Sequence, residues 1–412
     1  MKIAILAYYF KPDQSVGAMR PENWARWLGA DHQVTVVCPK RPAAAADPAD
    51  RFRIRFQPSI AVRLLEWANG LRKRRRHRRR VSPTVAPRPR AGTPSGALIY
   101  RMPCLHDLWL IPCYRALCRL RPDLIISTHN PYINHVAAWI YRRHHPGTRI
   151  WLDYRDLWTG NHTTRGLPLV RALETWMERR ILRSAAMVTT VSRHLCQSLA
   201  REGAPRVHLV YNSPLVAPPM AGRGRSGPPS RPLVICYTGT IHPGWRNPAP
   251  LFELLRDLRR RKAIGARDVR LTVASRHPGN LLSLAEAYEV RDWIDYRGPV
   301  SREAAIAMQH GAHVLLLLES GAPEARGVLT GKVFEYLATD KPILLVGPRA
   351  DAELYQLLQR HERLLDLDRL ARILADPTLE LPKQRPVDYA AASRESLRRI
   401  LKDPALAGLE DC

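Results

Sequence analysis

Lys332 and Glu335 stand one helical turn apart in the stretch Gly327-Val-Leu-Thr-Gly-Lys-Val-Phe-Glu-Tyr-Leu-Ala-Thr-Asp-Lys-Pro342, and together they suit anion chemistry. Gly327 and Gly331 let the backbone approach a phosphate closely, and Lys332 adds a cation. A carboxylate at Glu335 can accept paired hydrogen bonds from a ribose diol. Arg246, at the end of Gly239-Thr-Ile-His-Pro-Gly-Trp-Arg246, is a planar guanidinium, a group suited to bidentate contacts. The same residues also fit an ordinary packing unit whose lysine and glutamate face solvent.

These side chains need a scaffold, and the flanking sequence supplies one. The apolar run Val314 to Leu318, the polar loop, a short helix, a turn closed by Pro342 and a second apolar run ending at Val346 read as one βαβ unit. In such a unit a ligand sits where the loop leaves the carboxyl end of the first strand and enters the helix. The N-terminus repeats the pattern. A strand over residues 2–7, a loop from Tyr8 to Ala18, a helix containing Trp24, Trp27 and Leu28, and the strand Val34 to Cys38 form a doubly wound opening.

The central stretch resembles the donor-site signature of the retaining glycosyltransferases of family four, which read "G…K.FEY.A…KP.L" here and have the GT-B fold. Many relatives carry two glutamates separated by seven residues. Glu335 matches the second, Gly327 stands in place of the first, and Glu319 and Glu324 both lie near enough to substitute. The resemblance continues in the aromatic pair Tyr8-Tyr9 and the "GA.R" helix start. It implies that Gly17 lets the first loop pass near the donor phosphates and that Arg20 faces the cleft. His129, at the end of the strand Pro122-Asp-Leu-Ile-Ile-Ser-Thr-His129, resembles the histidine that contacts the acceptor or the transferred sugar. The "D.RDLW" segment from Asp153 to Trp158 borders the acceptor side in relatives, although Asp153, Arg155 and Asp156 equally fit a closed salt-bridge network. The strand Leu233 to Thr238, Gly239 and Arg246 resemble the opening of the donor domain.

The resemblance thus implies an α/β protein of GT-B type, two doubly wound Rossmann-like domains facing a central cleft. Its expected catalytic residues are His129, Asp156, Arg246 and Lys332. Donor binding falls to Gly17, Gly239, Arg246, Gly331, Lys332 and Glu335. No metal and no cofactor is required, and the donor substrate is a nucleotide-diphosphate sugar. Two other readings are open: a nucleotide-sugar epimerase of the same fold, and a non-catalytic basic scaffold.

Bulk composition agrees with this organisation. A chain of 412 residues with 45% hydrophobic content calls for two or three domains. The expected boundaries are residues 1–214, a Pro-, Gly- and Arg-rich linker 215–232, a second domain 233–385, and a final helix 386–403 returning to the first domain. No apolar run reaches eighteen residues, so no transmembrane helix is expected. The N-terminal run reads as a buried strand rather than a signal peptide. Seven scattered cysteines without a CxxC pair point to reduced thiols in the cytoplasm.

The formal net charge of +28 calls for an anionic partner. Eight of the ten residues Leu71 to Arg80 are Lys or Arg, and Leu64, Leu65, Trp67 and Leu71 form an apolar helical face beside them. Residues 81–96 are Pro- and Gly-rich and read as disordered. An apolar face next to a cation cluster is the composition of an interfacial membrane anchor. A nucleic-acid contact and a solvated insertion are the competing readings, of which nucleic acid is the less favoured. The expected protein is therefore cytoplasmic, peripheral at the inner face of the plasma membrane through residues 63–80. Its acceptor is a lipid-linked saccharide in cell-surface polysaccharide synthesis.

Overall fold

The computed structural model describes residues 1–11, 13, 16–39, 50–60, 62, 97–98, 101–161, 164, 166–214, 229–241, 245–276, 278–279 and 281–406. The basic segment 63–80, its apolar face and most of the expected linker lie outside the described residues. The chain forms two compact units, Met1–Tyr211 with Ser393–Cys412, and Asn212–Ala392.

The first unit is built on seven parallel strands: β1 Lys2–Leu6, β2 Gln33–Cys38, β3 Arg53–Phe56, β6 Leu124–His129, β7 Arg149–Tyr154, β8 Met187–Thr190 and β9 Val207–Leu209. Two further strands, β4 Ala97–Leu98 and β5 Arg101–Cys104, pair with each other. The sheet runs β3-β2-β1-β6-β7-β8-β9, so the winding reverses between β1 and β6. Among the described residues, five α-helices accompany it: α1 Val16–Leu28, α2 Leu110–Leu120, α3 Ile133–His144, α4 Pro168–Ser184 and α5 Arg193–Arg201.

Strand side chains alternate between the two faces of a sheet, and β1 shows the result. Ala4 and Leu6 join one core with Ile125, Leu152 and Val188, while Ile3 and Ile5 join another with Trp24, Ile126 and Trp151. That second core is completed by Leu397, Ile400 and Leu406 from the far end of the sequence. A central strand of a parallel sheet is covered on both faces, and Leu124–His129 is buried at every position, its polar Ser127, Thr128 and His129 included.

The second unit holds six parallel strands: β10 Leu233–Thr238, β11 Val269–Ala274, β12 Ile294–Gly298, β13 Val314–Leu318, β14 Ile343–Val346 and β15 Leu364–Leu365. Their order is β12-β11-β10-β13-β14-β15, with the reversal between β10 and β13. The helices are α6 Ala249–Arg260, α7 Leu281–Ala287, α8 Arg302–Gly311, α9 Gly331–Leu337, α10 Glu353–Arg360 and α11 Leu367–Ala375. Ser301 caps α8 by accepting from Ala304 N at 3.2 Å. A last helix, α12 Tyr389–Leu401, begins in this unit and continues into the first. Among the described residues no helix is long and apolar enough to cross a membrane, and Cys38, Cys104, Cys113, Cys118, Cys196 and Cys236 are free thiols.

Candidate functional site

In an open α/β sheet the crevice forms where the strand order reverses, outside the carboxyl ends of the two strands that flank the reversal. In the second unit those strands are β10 and β13, held in parallel register by Ile235 opposite Val314 and Cys236 opposite Leu315. Gly239 follows β10 and Glu319 follows β13, so both stand at this reversal.

Glu319 is nearly buried and takes the Arg246 guanidinium bidentately, Nε to Oε2 at 3.2 Å and Nη2 to Oε1 at 3.1 Å. Thr330 Oγ1 donates to the same carboxylate at 3.0 Å, and Arg246 Nη1 donates to Thr240 O at 3.1 Å. The loop ahead of α9 is thereby tied to the end of β13. Of the two carboxylates near Gly327, Glu319 is the one that meets Arg246, whereas Glu324 is exposed on the turn Pro323–Ala325.

Lys332 lies in the first turn of α9, and its Nζ is shut off from solvent with no hydrogen-bond partner among the described residues. The ammonium stands 4.1 Å from the centre of the Tyr237 ring, a cation–π contact that only partly replaces water. Burial, and then the neighbouring Arg246 cation, pushes its pKa down to about 7, against the pull of Glu319 and Glu335. Gly239 makes room for this arrangement. Its φ is +137°, and a Cβ there would lie 2.5 Å from Lys332 Nζ. Gly331 opens α9, and Glu335, one turn on, accepts from Arg302 Nη2 of α8 at 3.0 Å.

The second unit therefore brings Gly239, Arg246, Glu319, Gly331, Lys332 and Glu335 into one neighbourhood with two cations, one of them an orphaned buried ammonium. A buried charge without a partner is costly, and an oxyanion is the group that would satisfy it. Among the described residues no three His, Cys, Asp or Glu side chains gather so as to hold a metal ion.

The other expected site residues belong to the first unit. Gly17 sits in the first turn of α1. His129 ends β6, buried, with its ring stacked on Tyr154 at 5.5 Å and on His135 at 5.8 Å. Burial, with the Arg155 cation adding to it, lowers its pKa to about 3. It is consequently neutral across the physiological range, and its Nδ1 has no hydrogen-bond partner among the described residues. Arg155 Nε donates to His129 O at 2.7 Å, while Asp156 exposes its carboxylate and reaches the His129 ring only through its backbone.

Arg20 does not face a cleft. Its guanidinium is 3% exposed and grips Asp153 bidentately, Nε to Oδ2 at 2.9 Å and Nη2 to Oδ1 at 2.8 Å, while Nη1 donates to Val210 O at 2.7 Å. Asp153 Oδ1 also accepts from Thr189 Oγ1 at 2.8 Å. The closed network thus absorbs Asp153 and Arg20, because β7, β8 and α1 pack them where no water reaches. Sequence reading missed the Arg302–Glu335 pair and the aromatic floor under Lys332. The one available signal was position, since Tyr237 is the last but one residue of β10 and Glu319 follows β13, the two apolar strands at the reversal.

Residues 17–214 match the family model of a glycosyl transferase 4-like domain. No curated protein matches the sequence. Among solved structures, a sucrose-phosphate synthase from Thermosynechococcus elongatus is 14% identical, with 98% of this chain and 96% of that chain covered at a TM-score of 0.53. A glycosyltransferase from Rickettsia africae is 11% identical over 99% of this chain and 96% of its own, also at 0.53. The UDP-GlcNAc 2-epimerase from Methanocaldococcus jannaschii is 11% identical over 97% and 99%, at 0.51. At these identities the likeness is one of fold: the chain has the GT-B fold of two Rossmann-like units.

Proposed function

We propose that the protein is a retaining glycosyltransferase of family four that moves a sugar from a nucleotide-diphosphate sugar to a lipid-linked saccharide in cell-surface polysaccharide synthesis. The observation that carries this reading is the buried, partnerless ammonium of Lys332 beside Arg246 at the sheet reversal of the second unit. In the reaction the bond from the sugar C1 to the diphosphate oxygen breaks, and a bond from C1 to the acceptor hydroxyl forms on the same face. The acceptor proton leaves with the diphosphate, on which negative charge accumulates. Lys332 and Arg246 are the groups that neutralise that charge, and Glu319 and Thr330 hold Arg246 and the α9 loop in place. Glu335 receives the ribose hydroxyls, in exchange for or alongside Arg302. Neutral His129, with Asp156 nearby, belongs to the acceptor side. The enzyme works at the cytoplasmic face of an anionic membrane, reached through residues 63–80.

The test is a transfer and hydrolysis assay over a panel of nucleotide sugars, with and without lipid-linked acceptor, following the anomer by NMR. Acceptor-dependent transfer with the donor's anomeric configuration is the expected result. Free sugar with an inverted ring centre would indicate an epimerase, and polyanion binding without turnover a basic scaffold.

Glu335→Gln is expected to weaken nucleotide binding by about 1.5–3 kcal/mol, the value of a charged hydrogen bond, while the fold persists. Titration calorimetry showing wild-type affinity would remove Glu335 from the site. Lys332 also gives binding a pH signature. With its pKa at about 7 in the fold, a diphosphate that favours the ammonium must raise that pKa on binding. Above pH 7 binding then takes up a proton, and affinity falls as pH rises. Binding enthalpies in buffers of different ionisation heat read the uptake, and Lys332→Met should abolish it.

A further inference from the structure

Helix α4 turns both of its carboxylates inward. Glu174 is fully buried and receives Arg101 Nε at 3.0 Å and Nη2 at 2.7 Å, and Glu178 accepts from Thr159 N at 3.0 Å. Ile181 and Leu182 complete the buried side. The outer side is apolar and cationic instead. Leu169 is 97% exposed, Trp176 52% and Leu173 49%, and the i, i+4, i+7 spacing puts them in one arc of the helix. Arg180 continues that arc, its guanidinium 5.8 Å from the Trp176 ring, and Arg179 and Arg183 lie beside it. Trp176 and these three arginines line a shallow pocket of about 740 Å³. Arg179 is also paired with Glu202 at 2.8 Å, but both side chains are largely exposed, so the pair gives little of the cation's charge away.

We propose that α4 is a membrane-docking helix that lies along an anionic phospholipid surface. Leu169, Leu173 and Trp176 enter the boundary of the acyl region, while Arg179, Arg180 and Arg183 meet the headgroup phosphates. Charge complementarity selects this occupant, since the outer arc carries three cations and no carboxylate of its own helix. A nucleic acid would take the arginines but leave the two leucines in water, whereas a bilayer interface accepts both kinds of group in one plane. This surface is distinct from residues 63–80 and does not depend on the transfer reaction.

Flotation of the full chain with phosphatidylcholine vesicles containing phosphatidylglycerol tests the assignment, with residues 63–96 present or deleted. With residues 63–96 deleted, Leu169→Glu with Trp176→Glu should lower the bound fraction about tenfold, because carboxylates cannot enter the interface, and with the segment present the loss should be smaller. Arg179→Gln, Arg180→Gln and Arg183→Gln together should lower binding at low salt and flatten its salt dependence. Unchanged melting temperatures establish that the variants fold. Hydrogen exchange on the wild-type chain supplies a readout free of mutation, in which vesicles should slow exchange over residues 168–184. Wild-type flotation of the double glutamate variant with residues 63–96 deleted, no added protection of this helix, or protection by nucleic acid but not by vesicles would each overturn the proposal.

Discussion

Lys332→Met is expected to lower the turnover number by about 10²–10³-fold, the scale seen when one preorganised charge-stabilising group is removed from a transition state. The same variant should be more stable than the wild type. The ammonium is held at a pKa of about 7 against an ordinary value of 10.5, so the folded state resists its charge. The cost is complete below pH 7, where the lysine is protonated in folded and unfolded chains alike. It declines as pH rises from 7 and vanishes near the unfolded value. The gain in melting temperature should therefore be largest at pH 6 and shrink toward pH 10. A residue kept for stability would show the opposite sign, which makes the pairing of lost activity with gained stability the decisive measurement. Arg246→Ala should also lower turnover more than it raises KM, since leaving-group charge grows toward the transition state. The double variant should fall short of the product of the two losses if both cations hold one diphosphate. Losses that multiply and fall on KM alone would sink the assignment.

Asp153→Ala is the substitution expected to harm the fold most. It takes the bidentate carboxylate away from the buried Arg20 guanidinium, which is 3% exposed. Removing one partner of a buried ion pair typically costs about 3–5 kcal/mol. Arg20→Met with Asp153→Leu should recover much of that loss, because an apolar pair leaves no orphaned charge. Chemical denaturation of the three proteins checks both statements, and a fully stable Asp153→Ala variant would show that the network is dispensable. The pair joins α1 to β7 and reaches Val210 O next to the end of the first unit's main segment. Its loss should therefore be felt across that unit rather than locally.

Strands such as Val314–Leu318 and Ile343–Val346 were legible because a buried parallel strand must be apolar throughout, and a short run between turn residues has few other uses. The edge strand Arg53–Phe56 was not. It alternates charged and apolar residues and is partly exposed, so its sequence lacks the continuous signal of a central strand. Helix α2 was equally silent. Pro112 sits in its first turn, and its buried face is carried by only Cys113, Ala116 and Leu117. For the site, residue type and position in the βαβ loop singled out Lys332 and Glu335, and the family resemblance added Arg246. Their partners were a different matter. Arg302 lies thirty-three positions from Glu335 and Glu319 seventy-three from Arg246, distances over which no periodicity reports contact. Arg20 was misplaced for the same reason, since only the packed fold sets Asp153 against it.

The chain leaves the first unit after Tyr211 and rejoins it at Ser393, where Ser393 Oγ donates to Tyr211 O at 2.8 Å. The second unit is thus an insertion whose entry and exit are fastened together, and this sets the order in which a ribosome can deliver finished parts. All residues of the second unit, 212–392, have been synthesised before Leu397, Ile400 and Leu406 emerge to cover Ile3, Ile5 and Trp24. The part translated first is the part completed last. During synthesis its apolar floor stays open for the time needed to make some two hundred further residues, on the order of ten seconds or more at cellular elongation rates.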